Sequence, residues 1–146
     1  MKQVDIYTDG ACSGNPGAGG WAAILMYGGH KKEISGYDKQ TTNNRMELFA
    51  VIMALRALKE KCSVNLYTDS AYVADAFNKN WIKAWQENDW KTADKSEVKN
   101  QDMWKALLFE TNRQQVKFIK VKGHSDNEFN NRCDALARGE IERCNN

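Results

Sequence analysis

Apolar and polar positions alternate over residues 4–8 (VDIYT), the two-residue period of a strand with one buried face, and residues 21–27 (WAAILMY) form a continuous apolar run of strand length. The turn GGHK at Gly28–Lys31 leads into a third strand-like stretch, KEISGY, near 32–37, so the N-terminal part of the chain predicts an antiparallel meander. The period changes after the polar run TTNN at Thr41–Asn44. Leu48, Val51, Ile52, Leu55 and Leu58 follow at i, i+3, i+4, i+7 and i+10, and Met46, Phe49 and Met53 widen the apolar surface, which predicts a helix buried over most of its circumference. Asn44 and Glu47 stand at capping-box spacing at its start. SVNLYT at 63–68 is a fourth strand, and DSAYVADAF opens a second helix at an Asp-Ser cap. Residues 79–105 carry Trp81, Trp85, Trp90 and Trp104 among lysines and acids, in two or more short helices and a loop. QVKFIKV at 115–121 is a fifth strand, and a last helix spans roughly 128–143. The order predicts an α/β fold, a mixed five-stranded sheet with helices against it.

Composition narrows this picture only modestly. A chain of 146 residues is long enough for one domain with a real core. Its formal net charge of +2 permits a nucleic-acid partner without announcing one. The N-terminus, MKQVDIYTDG, lacks the apolar run of a signal peptide, and no stretch approaches a membrane span. Cys12, Cys62, Cys133 and Cys144 are scattered, with no C-x-x-C pair and no histidine at ligand spacing, so they read as free thiols in a reducing cytosol and not as a zinc site.

The stretch GACSGNPGAGG contains neither G-x-x-x-x-G-K-[ST] nor G-x-G-x-x-G, and a strand-like run follows it instead of a helix. It is expected to be a wide hairpin connection and no phosphate cradle. Asp9 ends the first strand in YTDG and Asp69 ends the fourth in YTDS. If those strands are parallel neighbours, both carboxylates emerge at the carboxyl edge of the sheet, where open α/β sheets hold their ligands. Each acid also has an ordinary explanation: a turn for Asp9, a helix cap for Asp69, a capping box for Glu47, and an i,i+4 pair with Arg138 for Asp134. His124 follows a glycine in a polar loop, where an exposed imidazole is common. Should Asp9, Glu47, Asp69 and Asp134 converge, their repulsion would demand protons or cations. All-oxygen donors suit Mg²⁺ or Mn²⁺, and a pair of such ions serves in-line displacement at phosphorus.

YTDGACSGNPGAGGWA, TTNNRMEL, WKTADKSEVKNQDMW, TDSAYV and VKGHSDNEFNNRCDALA together resemble the motifs of type 1 ribonuclease H in the bacterial style, over nearly the whole chain. The resemblance implies a ribonuclease H-like fold: three antiparallel strands, then two parallel additions, flanked by helices in a single domain of residues 1–146. It also implies an endonuclease that cleaves the RNA strand of RNA/DNA hybrids, leaving 5′-phosphate and 3′-hydroxyl ends. In that family's scheme Asp9 bridges two Mg²⁺ ions, Glu47 and Asp69 complete the leaving-group site, and Asp134 holds the metal that activates water. His124 is an accessory group for proton transfer or product departure. Asn15 and Asn44 contact nucleotides across the minor groove, Thr42 and Asn43 bind a DNA phosphate, and Gly10, Cys12 and Glu47 read the 2′-hydroxyls.

The tryptophan segment at about 79–105 corresponds to the family's protruding substrate-binding handle, with Trp81 and Trp85 against the deoxyriboses and Trp90 and Trp104 as core. Where relatives carry a basic cluster this chain reads QEND at Gln86–Asp89, and six lysines face five acids across the segment, so hybrid binding should depend less steeply on salt. Ala71 stands where a glutamine is common after TDS. The resemblance further implies a cytoplasmic monomer. A hybrid-binding module without catalysis would need a broken carboxylate set, which this chain does not have. Integrase-, resolvase- or exonuclease-type chemistry would lack TTNNRMEL and the tryptophan handle together.

Overall fold

The first strand runs well past the alternation that announces it. The structure, a computed structural model, describes residues 1–122 and 127–145. Strands β1 (Lys2–Gly14), β2 (Gly17–Tyr27) and β3 (His30–Thr41) form the expected antiparallel meander. The glycine-rich stretch is not a wide connection: Gly10 pairs with Trp21, Cys12 with Gly19 and Gly14 with Gly17, and the reversal is confined to Asn15 and Pro16, joined by a cis peptide bond. The glycines keep the strands in the sheet while helices pass close over them. A Cβ on Gly20 would lie 2.1 Å from the carbonyl oxygen of Ala137, on the helix that covers that face.

Helix α1 (Asn43–Arg56) follows β3, and β4 (Cys62–Thr68) then pairs parallel with β1. Helices α2 (Ala71–Asn78), α3 (Trp81–Glu87) and α4 (Gln101–Arg113) precede β5 (Gln115–Lys120), which lies parallel to β4, and α5 (Glu128–Asn145) ends the described chain. The sheet order is β3-β2-β1-β4-β5, the mixed five-stranded arrangement expected from the sequence.

The cap of α1 differs from expectation. Thr42, not Asn44, is the N-cap, with its Oγ1 accepting from the Arg45 N–H at 3.3 Å. The helix ends at a cap on Ala57, so Leu58 lies beyond it and packs against the core from the following turn. The periodicity continues through Leu58 because the chain still faces the core there, its N–H donating in a tighter turn to the Leu55 carbonyl oxygen at 3.2 Å.

One face of the sheet presents Val4, Ile6 and Leu25 to Leu48, Val51 and Leu55 of α1 and to Trp104 and Leu107 of α4. The other presents Ala22 and Ile24 to Cys133 and Ala137 of α5. Ile6, Leu48 and Leu55 are fully buried, and each such side chain stabilises the fold by about 1.5–3 kcal/mol, which fixes α1 on the sheet and hence the place of anything it carries. At its C-terminal end α1 is clasped to α4 by Arg56, whose Nε donates to the buried Glu110 at 3.0 Å. All four cysteines are free. Among the described residues, no helix is long and apolar enough to cross a membrane.

Candidate active site

In the register of β1 against β4, Tyr7 lies beside Tyr67, and their rings stack at 4.5 Å. Two residues further along each strand come Asp9 and Asp69. β4 has ended by then, whereas β1 continues to Gly14 against β2 alone. The two acids therefore stand at a notch, where, beyond Tyr7, no described strand pairs with the edge of β1 that faced β4. The turn after β4 is held by Thr68, whose Oγ1 accepts from the Ser70 N–H at 3.1 Å. Ser70, not Asp69, caps α2, with its Oγ accepting from the Val73 N–H. The capping explanation for Asp69 thus falls away.

Glu47 reaches the same notch from the opposite face. With Thr42 as N-cap, Glu47 lies beyond the first turn of α1, so it closes no capping box. Its approach depends on Gly10, where a Cβ would lie 2.5 Å from the Glu47 nitrogen. One carboxylate oxygen from each of Asp9, Glu47 and Asp69 falls within 4.8 Å of the others.

Asp134 comes from α5 on the other side of the sheet and faces Asp9 closely enough to raise its pKa. Its ordinary explanation also holds, since Arg138 Nη2 donates to Asp134 Oδ2 at 2.5 Å. The pairing and the convergence coexist because the carboxylate has two oxygens. Burial first, and then the charges of Asp69 and Asp134, push Asp9 up to about 8, while the Gly10 N–H acts in the opposite direction. Burial, followed by Asp9 and Asp69, also holds Glu47 well above the usual carboxylate range. Next to Asp134, the buried Cys133 donates to the Tyr7 carbonyl oxygen, and burial pushes its thiol up, which leaves it an inert packing group.

Such a site is poorly satisfied by protein atoms alone. Glu47 Oε1 is buried and has no hydrogen-bond partner among the described residues. An orphaned carboxylate oxygen, mutually repelling acids and an all-oxygen donor set together fit a hard divalent cation.

The residues expected to meet substrate fall into two groups. Asn15, at the β1–β2 turn, accepts from the Asn43 N–H through its Oδ1 at 3.2 Å, so the turn and the start of α1 form one surface with Thr42 and the exposed Asn44. The Asn43 N–H is therefore engaged within the protein. Cys12 is half-buried and its Sγ donates to the carbonyl oxygens of Gly17 and Thr41, tying the end of β1 to β2 and β3. Trp81 is exposed, with Lys79 Nζ 5.9 Å from its ring centroid. Trp85 is half-buried against Trp104 at 5.3 Å and Trp90 at 6.4 Å, and it lines a hollow of about 370 Å³ with Tyr72, Thr92 and Ser96. Trp104 is fully buried, as expected of a core residue. His124 lies outside the described residues.

Sequence reasoning passed over Arg45, which stands beside these groups in the first turn of α1 and forks onto Asp102 of α4. A cation at a helix N-terminus, where the macrodipole disfavours it, was the available signal.

A family model described as RNase H matches residues 1–142. The ribonuclease H of Acetivibrio thermocellus is 61% identical over 143 residues, covering 98% of this chain and 97% of that protein. That of Chlorobium luteolum is 62% identical over 143 residues, covering 98% of each. Among solved structures, LC9-RNase H1, a type 1 RNase H with the type 2 active-site motif, matches with a TM-score of 0.88 at 27% identity, over 98% of this chain and 74% of that one. LC11-RNase H1, solved in complex with an RNA/DNA hybrid, has the same fold at 23% identity, with a TM-score of 0.75 over 98% and 99% of the two chains.

Proposed function

This chain belongs to the ribonuclease H family of enzymes, and from that premise we propose that it hydrolyses the RNA strand of RNA/DNA hybrids endonucleolytically, leaving 5′-phosphate and 3′-hydroxyl ends. The observation that carries the reading is the meeting of Asp9, Glu47 and Asp69 from three separate elements, with Asp134 of a fourth facing Asp9. Four carboxylates so arranged are costly unless cations neutralise them. The hybrid-bound relative of the same fold supports the choice of substrate class.

Asp9, Glu47, Asp69 and Asp134 would hold two Mg²⁺ ions in this reading, with Mn²⁺ as a substitute. Bound there, the ions supply an activated water and charge stabilisation at the leaving oxygen. The chain's own contribution is positioning. The Gly10 N–H faces the carboxylates of Asp9 and Glu47, and Arg138 holds one oxygen of Asp134 so that the other faces Asp9. His124 assists proton transfer or product departure.

Substrate lies across the notch. Gly10 and Cys12, through their backbone, and Glu47 read 2′-hydroxyls, which tell RNA from DNA. Asn15 and Asn44 meet nucleotides in the minor groove, and Thr42 and Asn43 meet a phosphate of the DNA strand. The half-exposed faces of Trp81 and Trp85 carry the deoxyriboses, in a handle formed by residues 79–105 of a single domain spanning 1–146. Phosphate and sugar contacts of this kind carry little sequence information. The protein acts as a cytoplasmic monomer.

The test is a panel of labelled hybrid, RNA, DNA and RNA/RNA duplex, each incubated with and without Mg²⁺. Internal cleavage confined to the RNA of the hybrid, and only with metal, supports the proposal. Binding without cleavage under Mg²⁺ or Mn²⁺ overturns it in favour of a binding module.

A further inference from the structure

We propose that Arg45 and Asp102 are a positioning pair that fixes the handle relative to the α1 N-terminal turn, so that both meet one duplex; the inference rests on the function proposed above. Arg45 Nη1 donates to Asp102 Oδ1 at 3.0 Å and Nη2 to Oδ2 at 2.8 Å, a bidentate fork, and Nη1 also reaches Asn100 Oδ1 at 3.3 Å. Asn100 Nδ2 donates to the Tyr72 hydroxyl at 3.0 Å, as does Trp104 Nε1 at 3.2 Å. One polar chain thus runs from the first turn of α1 through the start of α4 to α2.

Where the pair sits gives it its meaning. α1 and α4 lie side by side in the same direction, since Arg45 meets Asp102 near their beginnings and Arg56 meets Glu110 near their ends. The Arg56 clasp is anchored on a buried carboxylate, whereas the Asp102 side chain is 68% exposed. An exposed pair contributes little to folding. Yet Arg45 stands where the α1 dipole opposes it, between Thr42, Asn43 and Asn44 on one side and Glu47 on the other. Asp102, in the first turn of α4, is favoured by its own helix and is held down at about 2 chiefly by the hydrogen bond from Arg45. Both terminal nitrogens of Arg45 are occupied, so its role is to hold α4 and not to grip a phosphate.

The experiment compares Arg45→Gln, Asp102→Asn, the double variant and Asp102→Glu, measuring kcat, KM for hybrid, hybrid Kd by anisotropy without metal, the salt slope of binding, and Tm. Each single neutralisation is expected to raise KM and Kd about tenfold with kcat within about twofold. The double variant should be no worse than the weaker single, Asp102→Glu should stay near wild type, and the salt slope should be unchanged. Unaltered KM and Kd in both singles overturn the inference. So does tighter binding by Asp102→Asn, or a salt slope lowered by about one in Arg45→Gln, either of which makes Arg45 a phosphate ligand. A loss confined to kcat overturns it as well. If the unsubstituted protein neither binds nor cuts hybrid, the failure belongs to the proposed function instead.

Discussion

Gly10 and Glu47 touch through their backbones: a Cβ built on Gly10 would lie 2.5 Å from the Glu47 nitrogen and 2.6 Å from the Met46 carbonyl carbon. That contact is backbone against backbone, so no rotamer change can relieve it. It sets how near the start of α1 comes to β1, and so whether the Glu47 carboxylate reaches Asp9 and Asp69. Gly10→Ala should destabilise the protein by about 1–3 kcal/mol, the usual cost of overpacking. It should lower the cleavage rate by about a hundredfold, because an ångström of displacement at a metal site is enough. Urea unfolding and initial rates on hybrid check both, and a variant with wild-type values would show that α1 can shift without consequence.

Asp9→Asn removes the carboxylate that faces the other three while keeping its shape. Cleavage should fall by about a thousandfold or more, with folding intact. His124→Ala should lose much less, since the accessory proton carrier proposed for that position has substitutes in water. Circular dichroism and cleavage assays on the two variants decide this ranking. Comparable losses would give His124 an essential place in the chemistry.

The metal-free protein should lose stability as pH rises. The pKa of Asp9 is raised in the folded state from an ordinary 3.8 to about 8, so the folded state holds a proton that the unfolded chain has released across that interval. Stability from this group is fully present below about pH 4 and is lost as pH climbs towards 8, by up to about 1.4 kcal/mol per pH unit. Asp9→Asn should flatten the profile and exceed wild type in Tm at pH 8 without metal. Mg²⁺ should raise the wild-type Tm more at pH 8 than at pH 5, because it binds the ionised site. Thermal scans in EDTA and in Mg²⁺ measure all of this, and a metal-free Tm that does not change between pH 5 and 8 would contradict the electrostatic account.

The two candidate stacking tryptophans should separate by readout. Trp81 is 39% exposed, so Trp81→Ala should weaken hybrid binding with little change in Tm. Base- and sugar-stacking aromatics are worth about 1–3 kcal/mol. Trp85 packs on Trp90 and Trp104, so Trp85→Ala should lower both binding and Tm. Equal Tm losses in the two variants would place Trp81 in the packing as well.

Much of the site was legible because its signals are local. YTDG and YTDS read as matched strand endings, and although β1 runs on to Gly14, parallel pairing turns the match into adjacency, with Tyr7 beside Tyr67 two residues before the acids. Asp134 was harder, since an i,i+4 partner in Arg138 accounts for it equally well and is present. The cap of α1 was misjudged because Thr42 and Asn44 are both good caps, and only the hydrogen bond to the Arg45 N–H chooses between them. The glycine-rich stretch reads as a wide connection because glycines permit positive φ and a reversal of the chain. Here the absence of side chains is what lets α1 and α5 lie against the sheet.

By itself the sequence determined the period of each segment, the order of strands and helices, and the chemical types available for a site, because these follow from neighbours a few residues apart. The tertiary structure decided which of those groups meet. It brought Glu47 past Gly10, released Asp69 from capping by giving that task to Ser70, and joined Arg45 to Asp102 across fifty-seven positions of chain. Those outcomes depend on how closely helices pack on the sheet, a quantity that the whole core sets together and that no local pattern encodes.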